Sequence, residues 1–151
     1  MRCFQWSLAT LGWNLESIDC NFGDGTCQVW DISGQLPELW VPLADKDAIV
    51  FVVDSSEVER RNSTNINEAR EALYNLLEAG SQKRKSRGGV PLLIFANKHD
   101  KCPALSAREI ADSFGLEEQL HRHIHRWHIQ ECSAMNNEGI QEGWDWLIKN
   151  I

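Results

Sequence analysis

No lysine follows a glycine anywhere in the 151 residues. That absence excludes the glycine-rich cradle G-x-x-x-x-G-K-[ST], in which backbone N–H groups and one lysine grip phosphate at a helix N-terminus. Basic residues are also in short supply. Fifteen Lys and Arg face 22 Asp and Glu, a net charge of −7, so nucleic acid finds no general basic field. No apolar run approaches the roughly 20 residues of a membrane-spanning helix, and no charged-then-apolar leader opens the chain. Residue 2 is Arg2, not the glycine that N-myristoylation requires. The five cysteines (Cys3, Cys20, Cys27, Cys102 and Cys132) are scattered and odd in number. They fit reduced thiols of a cytoplasmic protein better than a disulfide framework, although Cys20 and Cys27 flank a tight turn and can face each other across a hairpin.

What is present suffices for one domain with a core: 42% of residues are hydrophobic and 25% charged. Leu15 to Asp19 and Thr26 to Asp31 read as two strands joined by "NFGDGT", whose Gly23-Asp24-Gly25 supplies the positive-φ positions of a hairpin turn. "AIVFVVD" (48–54) and "PLLIFAN" (91–97) are continuous apolar runs, as expected of parallel strands buried on both faces, and "RWHIQEC" (126–132) is a weaker third. Between them lie helical patterns. Asn65 and Glu68 have capping spacing ahead of an Ile66, Ala69, Leu73, Leu76, Leu77 stripe that Gly80 stops. Ser106 and Glu109 repeat the spacing ahead of Ile110 and Phe114, with Gly115 behind; Ile140, Trp144, Leu147 and Ile148 form the last stripe. Alternating strand and helix from residue 48 onward argues for an α/β domain with a mainly parallel sheet. "SQKRKSRGG" (81–89) reads as a solvated basic loop.

Ligands in such sheets sit outside the carboxyl ends of the strands. Here the strands end in polar residues: Asp31, Asp54, Asn97 and then Ser133. "ANKHD" (96–100) carries the most chemistry. A carboxylate two residues past a lysine, at a strand end, accepts two parallel hydrogen bonds from guanine N1–H and its exocyclic amine, a pair that adenine does not offer. Asn97 ties the loop to its neighbours, the Lys98 stem can lie across the ring, and a backbone N–H in "CSA" (132–134) can meet the guanine carbonyl.

Six segments then come in order: "TLGWN", "VWDISGQ", "FVVDSS", "NEAREAL", "IFANKHD" and "QECSAMNNEGIQEGWDWL". Together they resemble the Arf and Arf-like small GTPases over nearly the whole chain after its first nine residues. The resemblance implies a small-GTPase-like α/β fold: a mostly parallel sheet with helices on both faces. It implies a GTP-binding switch with slow GTP hydrolysis that uses GTP or GDP and Mg2+. Thr10 then resembles the switch threonine of the magnesium shell, and Asp31 the carboxylate that holds the metal. Gly34 matches the γ-phosphate sensor, and Gln35 matches the residue that orients the attacking water. Asn97, Lys98 and Asp100 match the base-reading motif, with Ser133 and Ala134 completing the pocket. Trp13, Trp30 and Leu43 fall near the family's effector patch, against plain core packing for the two tryptophans. The implied partners are effector and regulatory proteins at the switch regions. Peripheral membrane association is implied too, for a monomeric cytoplasmic protein without a nucleic-acid partner.

The resemblance has gaps. Only "MRCFQWSLA" precedes Thr10, too short for a strand, a phosphate loop and a helix, so residues 1–151 are expected to be a single domain lacking its first strand and first helix. Nucleotide turnover would then be impaired; the alternative is a nucleotide-free interaction module. The missing strand would leave two core strands without a ladder partner, a gap that "RCFQWSL" fills in part. Ser33 replaces the first glycine of the family's sensor. "LHRHIHRWH" (120–128) offers His121, His123, His125 and His128, but no carboxylate or cysteine completes a zinc set within it.

Overall fold

The computed structural model describes residues 12–19, 25–34, 46–56, 64–83, 90–119 and 126–151. They fall into two units, one within Met1–Pro42 and one within Leu43–Ile151.

The first unit holds a hairpin. Strand β1 (Trp13–Asp19) pairs antiparallel with β2 (Thr26–Ile32), in a register running from Trp13↔Ile32 to Asp19↔Thr26. The Ser33 N–H closes the open end by donating to the Gly12 carbonyl at 2.8 Å. Directly opposed residues share a face, so Trp13, Leu15, Trp30 and Ile32 lie together. The Trp13 and Trp30 rings pack 5.3 Å apart, and both stay exposed, at 60% and 36%. The expected turn at residues 21–24 lies outside the described residues. Cys27 is disulfide-bonded, which corrects the expectation of reduced thiols throughout. Among the described cysteines, Cys102 and Cys132 are free.

The second unit is an α/β layer. Strands β3 (Ile49–Asp54), β4 (Leu92–Asn97) and β5 (Trp127–Glu131) form a parallel sheet in that order. Leu92 to Ala96 are all buried, as a central parallel strand requires. Helix α1 (Thr64–Lys83) joins β3 to β4; α2 (Ala107–Phe114) and the short α3 (Leu116–Gln119) join β4 to β5; α4 (Ile140–Ile148) follows β5. Two helix details depart from the sequence reading. α1 starts at Thr64, which puts Asn65 inside it, and it runs through Gly80 to Lys83. A glycine costs a helix only about 1 kcal/mol, and twenty residues of chain absorb that.

The two sheet faces are filled differently. Phe51 and Ile94 are register partners, and Phe51 meets Phe114 of α2 edge-on at 6.4 Å. On the other face Leu93, Phe95, Cys132 and Leu147 form a buried cluster, flanked by Ile140, Trp144 and Trp146. Gly143 permits that approach: a Cβ there would lie 2.5 Å from Phe95 Cε1. Val50 and Val52 share this face through their partners Leu93 and Phe95, yet they remain 40% and 61% exposed. α4 therefore covers β4 and β5 but not β3. Among the described residues, the only sheet partner of β3 is β4, and the residues expected to fill its other edge lie outside them. No described helix is long and apolar enough to cross a membrane.

Candidate functional site

Parallel pairing brings the carboxyl ends of β3, β4 and β5 to one rim, with Asp54 opposite Asn97. Ser55, fully buried just past β3, holds the two ends together. Its N–H and its hydroxyl both donate to the Asn97 carbonyl at 2.8 Å, and its own carbonyl accepts from Leu105 N–H at 2.8 Å. A buried serine with every polar group used is a fixed point.

The Asn97 side chain organises the turn that follows. Its Oδ1 accepts from Lys98 N–H at 2.8 Å and from Ala134 N–H at 3.0 Å, across 37 residues of chain. The backbone repeats this tie: Cys132 N–H donates to the Ala96 carbonyl and His99 N–H to the Cys132 carbonyl, both at 3.0 Å. Lys98 takes φ 65, a left-handed conformation uncommon outside glycine, and its carbonyl accepts from Lys101 N–H at 3.0 Å. Burial pushes the Cys132 thiol beneath this turn up to about 11.

Ser133 and Asp100 form the second tie. The Ser133 side chain is 2% exposed, and its hydroxyl donates to Asp100 Oδ1 at 2.6 Å while accepting from Asn136 N–H at 3.2 Å. Its backbone is fixed by a bridge to Glu138, with N–H to carbonyl distances of 3.0 and 3.1 Å. Gly139 makes that bridge possible. It sits at φ 72, where a Cβ would come within 2.2 Å of the Glu131 carbonyl oxygen. Asp100 itself is exposed, and its Oδ2 has no partner among the described residues. The Ser133 and Ala134 N–H groups, by contrast, are already given to Glu138 and Asn97.

Two further carboxylates, Asp54 and Glu131, complete the rim. Asp54 Oδ2 receives Lys98 Nζ at 2.5 Å, and Asp54 Oδ1 receives Ser56 N–H at 3.0 Å and the Ser56 hydroxyl at 2.6 Å. Partial burial raises the Asp54 pKa, but the hydrogen bonds from Lys98 and Ser56 and the ammonium charge outweigh it, for a net lowering. Glu131 accepts from Ala107 N–H, in the first turn of α2, at 2.7 Å and lies 3.4 Å from His99 Nε2. The same helix carries the expected Ser106–Glu109 capping box and a left-handed Gly115 at its end. The polar strand end flagged Asp54 in the sequence. For Glu131 the only available signal was its place before "CSA".

The remaining expected residues belong to the hairpin unit or lie outside the described residues. Asp31 is exposed on β2 opposite Asn14, and Gly34 is exposed two residues past the strand. Thr10 and Gln35 are outside the described residues, as are Leu43 and His121, His123 and His125. His128 stacks on Trp146 at 5.2 Å, and the described residues contain no cluster of three or more metal-ligating side chains.

A family model described as the ADP-ribosylation factor family matches residues 3–151. The chain belongs to the ADP-ribosylation factor family. Two Dictyostelium discoideum proteins, ADP-ribosylation factors F and J, are 33% and 34% identical to it over 147 and 148 residues. Those alignments take in 95% and 96% of this chain, and 70% and 71% of the relatives. The Arl6 BBS3 small GTPase of Trypanosoma brucei, solved with the nucleotide analogue GppNp, superposes with a TM-score of 0.77 at 28% identity. That match covers 99% of this chain and 84% of the other. This Arf-family chain is thus by homology a GTP-binding switch protein with the small-GTPase α/β fold, in a family that takes guanine nucleotide and Mg2+.

Proposed function

We propose that the chain is a guanine-nucleotide switch whose base-reading end is the Asn97–Asp100 turn backed by Ser133 and Ala134. One observation carries this reading: an exposed carboxylate, Asp100, is aimed by a buried serine and has an oxygen without a partner among the described residues. Each carboxylate oxygen has two lone pairs, so Oδ1 can keep Ser133 while both oxygens accept the N1–H and exocyclic amine of guanine. Adenine offers no such pair of donors. Asn97 fixes the turn, and the Lys98 stem supplies an apolar wall. Ser133 and Ala134 shape the pocket through their grip on Asp100 and Asn97.

In the hairpin unit, Asp31 is an exposed oxygen ligand of the hard, acidic kind that Mg2+ accepts. Thr10 and Asp31 would hold the metal, which supplies charge neutralisation at the phosphate oxygens when bound. Gly34 would present its N–H to the γ-phosphate, and Gln35 would orient the attacking water for slow hydrolysis. In this reading the chain is a cytoplasmic monomer that meets effector and regulatory proteins through its switch regions and membranes only peripherally.

The 151 residues contain no Gly-Lys step, so contacts to the α- and β-phosphates are the weak part of the site. Binding of GDP by this polypeptide is accordingly weak and turnover low. A fluorescent-GDP titration tests this: a Kd above about 1 μM is expected, and sub-micromolar affinity would contradict it. The same missing step, together with the exposed Trp13–Trp30 pair, favours a second reading, an interaction module that works without nucleotide. Binding of a partner unchanged by GDP, GTP or neither would select it.

A further inference from the structure

We propose that Asp54 is a positioning residue for the base site, holding Lys98 so that its stem is already in place when a guanine base arrives. The proposal rests on the base-site reading above. The contact is long-range, between residues 44 apart in sequence, and register places it at the joined ends of β3 and β4. Three donors converge on Asp54: Lys98 Nζ at 2.5 Å on Oδ2, and the Ser56 N–H at 3.0 Å and hydroxyl at 2.6 Å on Oδ1. The carboxylate is thus fixed from its own strand end before it meets the lysine.

Lys98 is constrained from the other side as well. Its N–H is taken by Asn97 Oδ1, its carbonyl by Lys101, and its φ of 65 sets the direction in which the side chain leaves the turn. A lysine has four side-chain torsions, and 47% of this one is exposed, so without an anchor it would sample many rotamers. Anchoring at both ends confines the methylene stem. Ordering a rotamer-rich side chain during binding weakens affinity by about two- to tenfold, and Asp54 removes that cost beforehand. The ion pair itself, half in solvent, adds little to fold stability; its effect is on the order of the lysine.

A double-mutant cycle on GDP affinity tests the idea, with Asp54→Asn, Lys98→Met and the double variant followed by NMR titration, which reads weak binding. Amide spectra report that each variant is folded. Asp54→Asn is expected to weaken GDP by about two- to tenfold and to have no further effect once Lys98 is Met. Additive losses, or no loss in Asp54→Asn, overturn the role of Asp54, because a purely structural contribution does not depend on Lys98. Asp100→Ala serves as the companion variant. If wild-type chain binds no GDP, or Asp100→Ala binds it equally well, the base-site reading itself is overturned, and the role of Asp54 with it. Wild-type binding that Asp100→Ala weakens, with an additive cycle, overturns Asp54 alone.

Discussion

The hydroxyl of Ser133 and the carboxylate of Asp100 meet at 2.6 Å across 33 residues of chain, and the serine is buried while the aspartate is not. In the base-site reading proposed above, this buried donor holds the exposed carboxylate in the orientation that guanine would meet. The surrounding ties have the same character: the strand ends hold Asn97, Asn97 holds the Ala134 loop, and that loop holds Asp100.

Asn97→Ala removes the acceptor shared by Lys98 N–H and Ala134 N–H. The Ala134 donor lies half-buried and loses its partner, so a cost of about 1–3 kcal/mol is expected. A urea unfolding curve reads it as a lowered midpoint at constant slope. A midpoint equal to wild type would show that the tie is ornamental.

The glycines of the α4 region should rank in a definite order. Gly143→Ala pushes a methyl against the Phe95 ring, and overpacking of this kind costs about 1–3 kcal/mol. Gly139→Ala costs more, since its Cβ would meet backbone at 2.2 Å and its φ of 72 disfavours a side chain. Thermal melts of the two variants check this, and the reverse order would contradict the packing described.

Much of this was legible in the chain. Buried parallel strands announce themselves as unbroken apolar runs, so β3 and β4 were placed within a residue of their observed ends, Ile49–Asp54 and Leu92–Asn97. The Ser106 capping box was legible because cap and partner are local. The end of α1 was not, since a lone glycine weakens a helix without stopping it. The roles of Ser55, Asp54 and Glu131 were also hidden. Each acts through a partner more than 20 residues away, and no local pattern encodes such a contact. The tryptophan pair was ambiguous because a strand tryptophan looks the same whether its face is covered or bare.

Asp54 should leave a mark on acid stability. Its pKa in the fold lies below its ordinary 3.8, so its contribution is present above that pH and disappears as pH falls through the folded value. For a side chain one-third exposed the effect is small, about 0–1 kcal/mol. Wild type and Asp54→Asn are expected to differ in stability at neutral pH and to converge in acid below 3.8. A gap that widens in acid would contradict the ion pair.

The cysteines should separate by reactivity. Cys102 is exposed, whereas Cys132 is buried with its thiol pushed up to about 11, which leaves almost no thiolate at neutral pH. Brief iodoacetamide treatment of the native chain is expected to label Cys102 and to spare Cys132, as read by peptide mass spectrometry. Comparable labelling of Cys132 would mean that the floor beneath the Asn97 turn opens.

The most direct measurement is the selectivity between guanine and adenine nucleotides as Asp100 is changed. Wild-type chain is expected to bind GDP in preference to ADP, and Asp100→Asn is expected to lose most of that preference while keeping its fold. The size of the loss, about tenfold or more, follows from trading a charged acceptor pair for a neutral amide at a site built to read two donors. Equal binding of GDP and ADP by wild type, or unchanged selectivity in Asp100→Asn, would contradict the assignment of the base site to this turn.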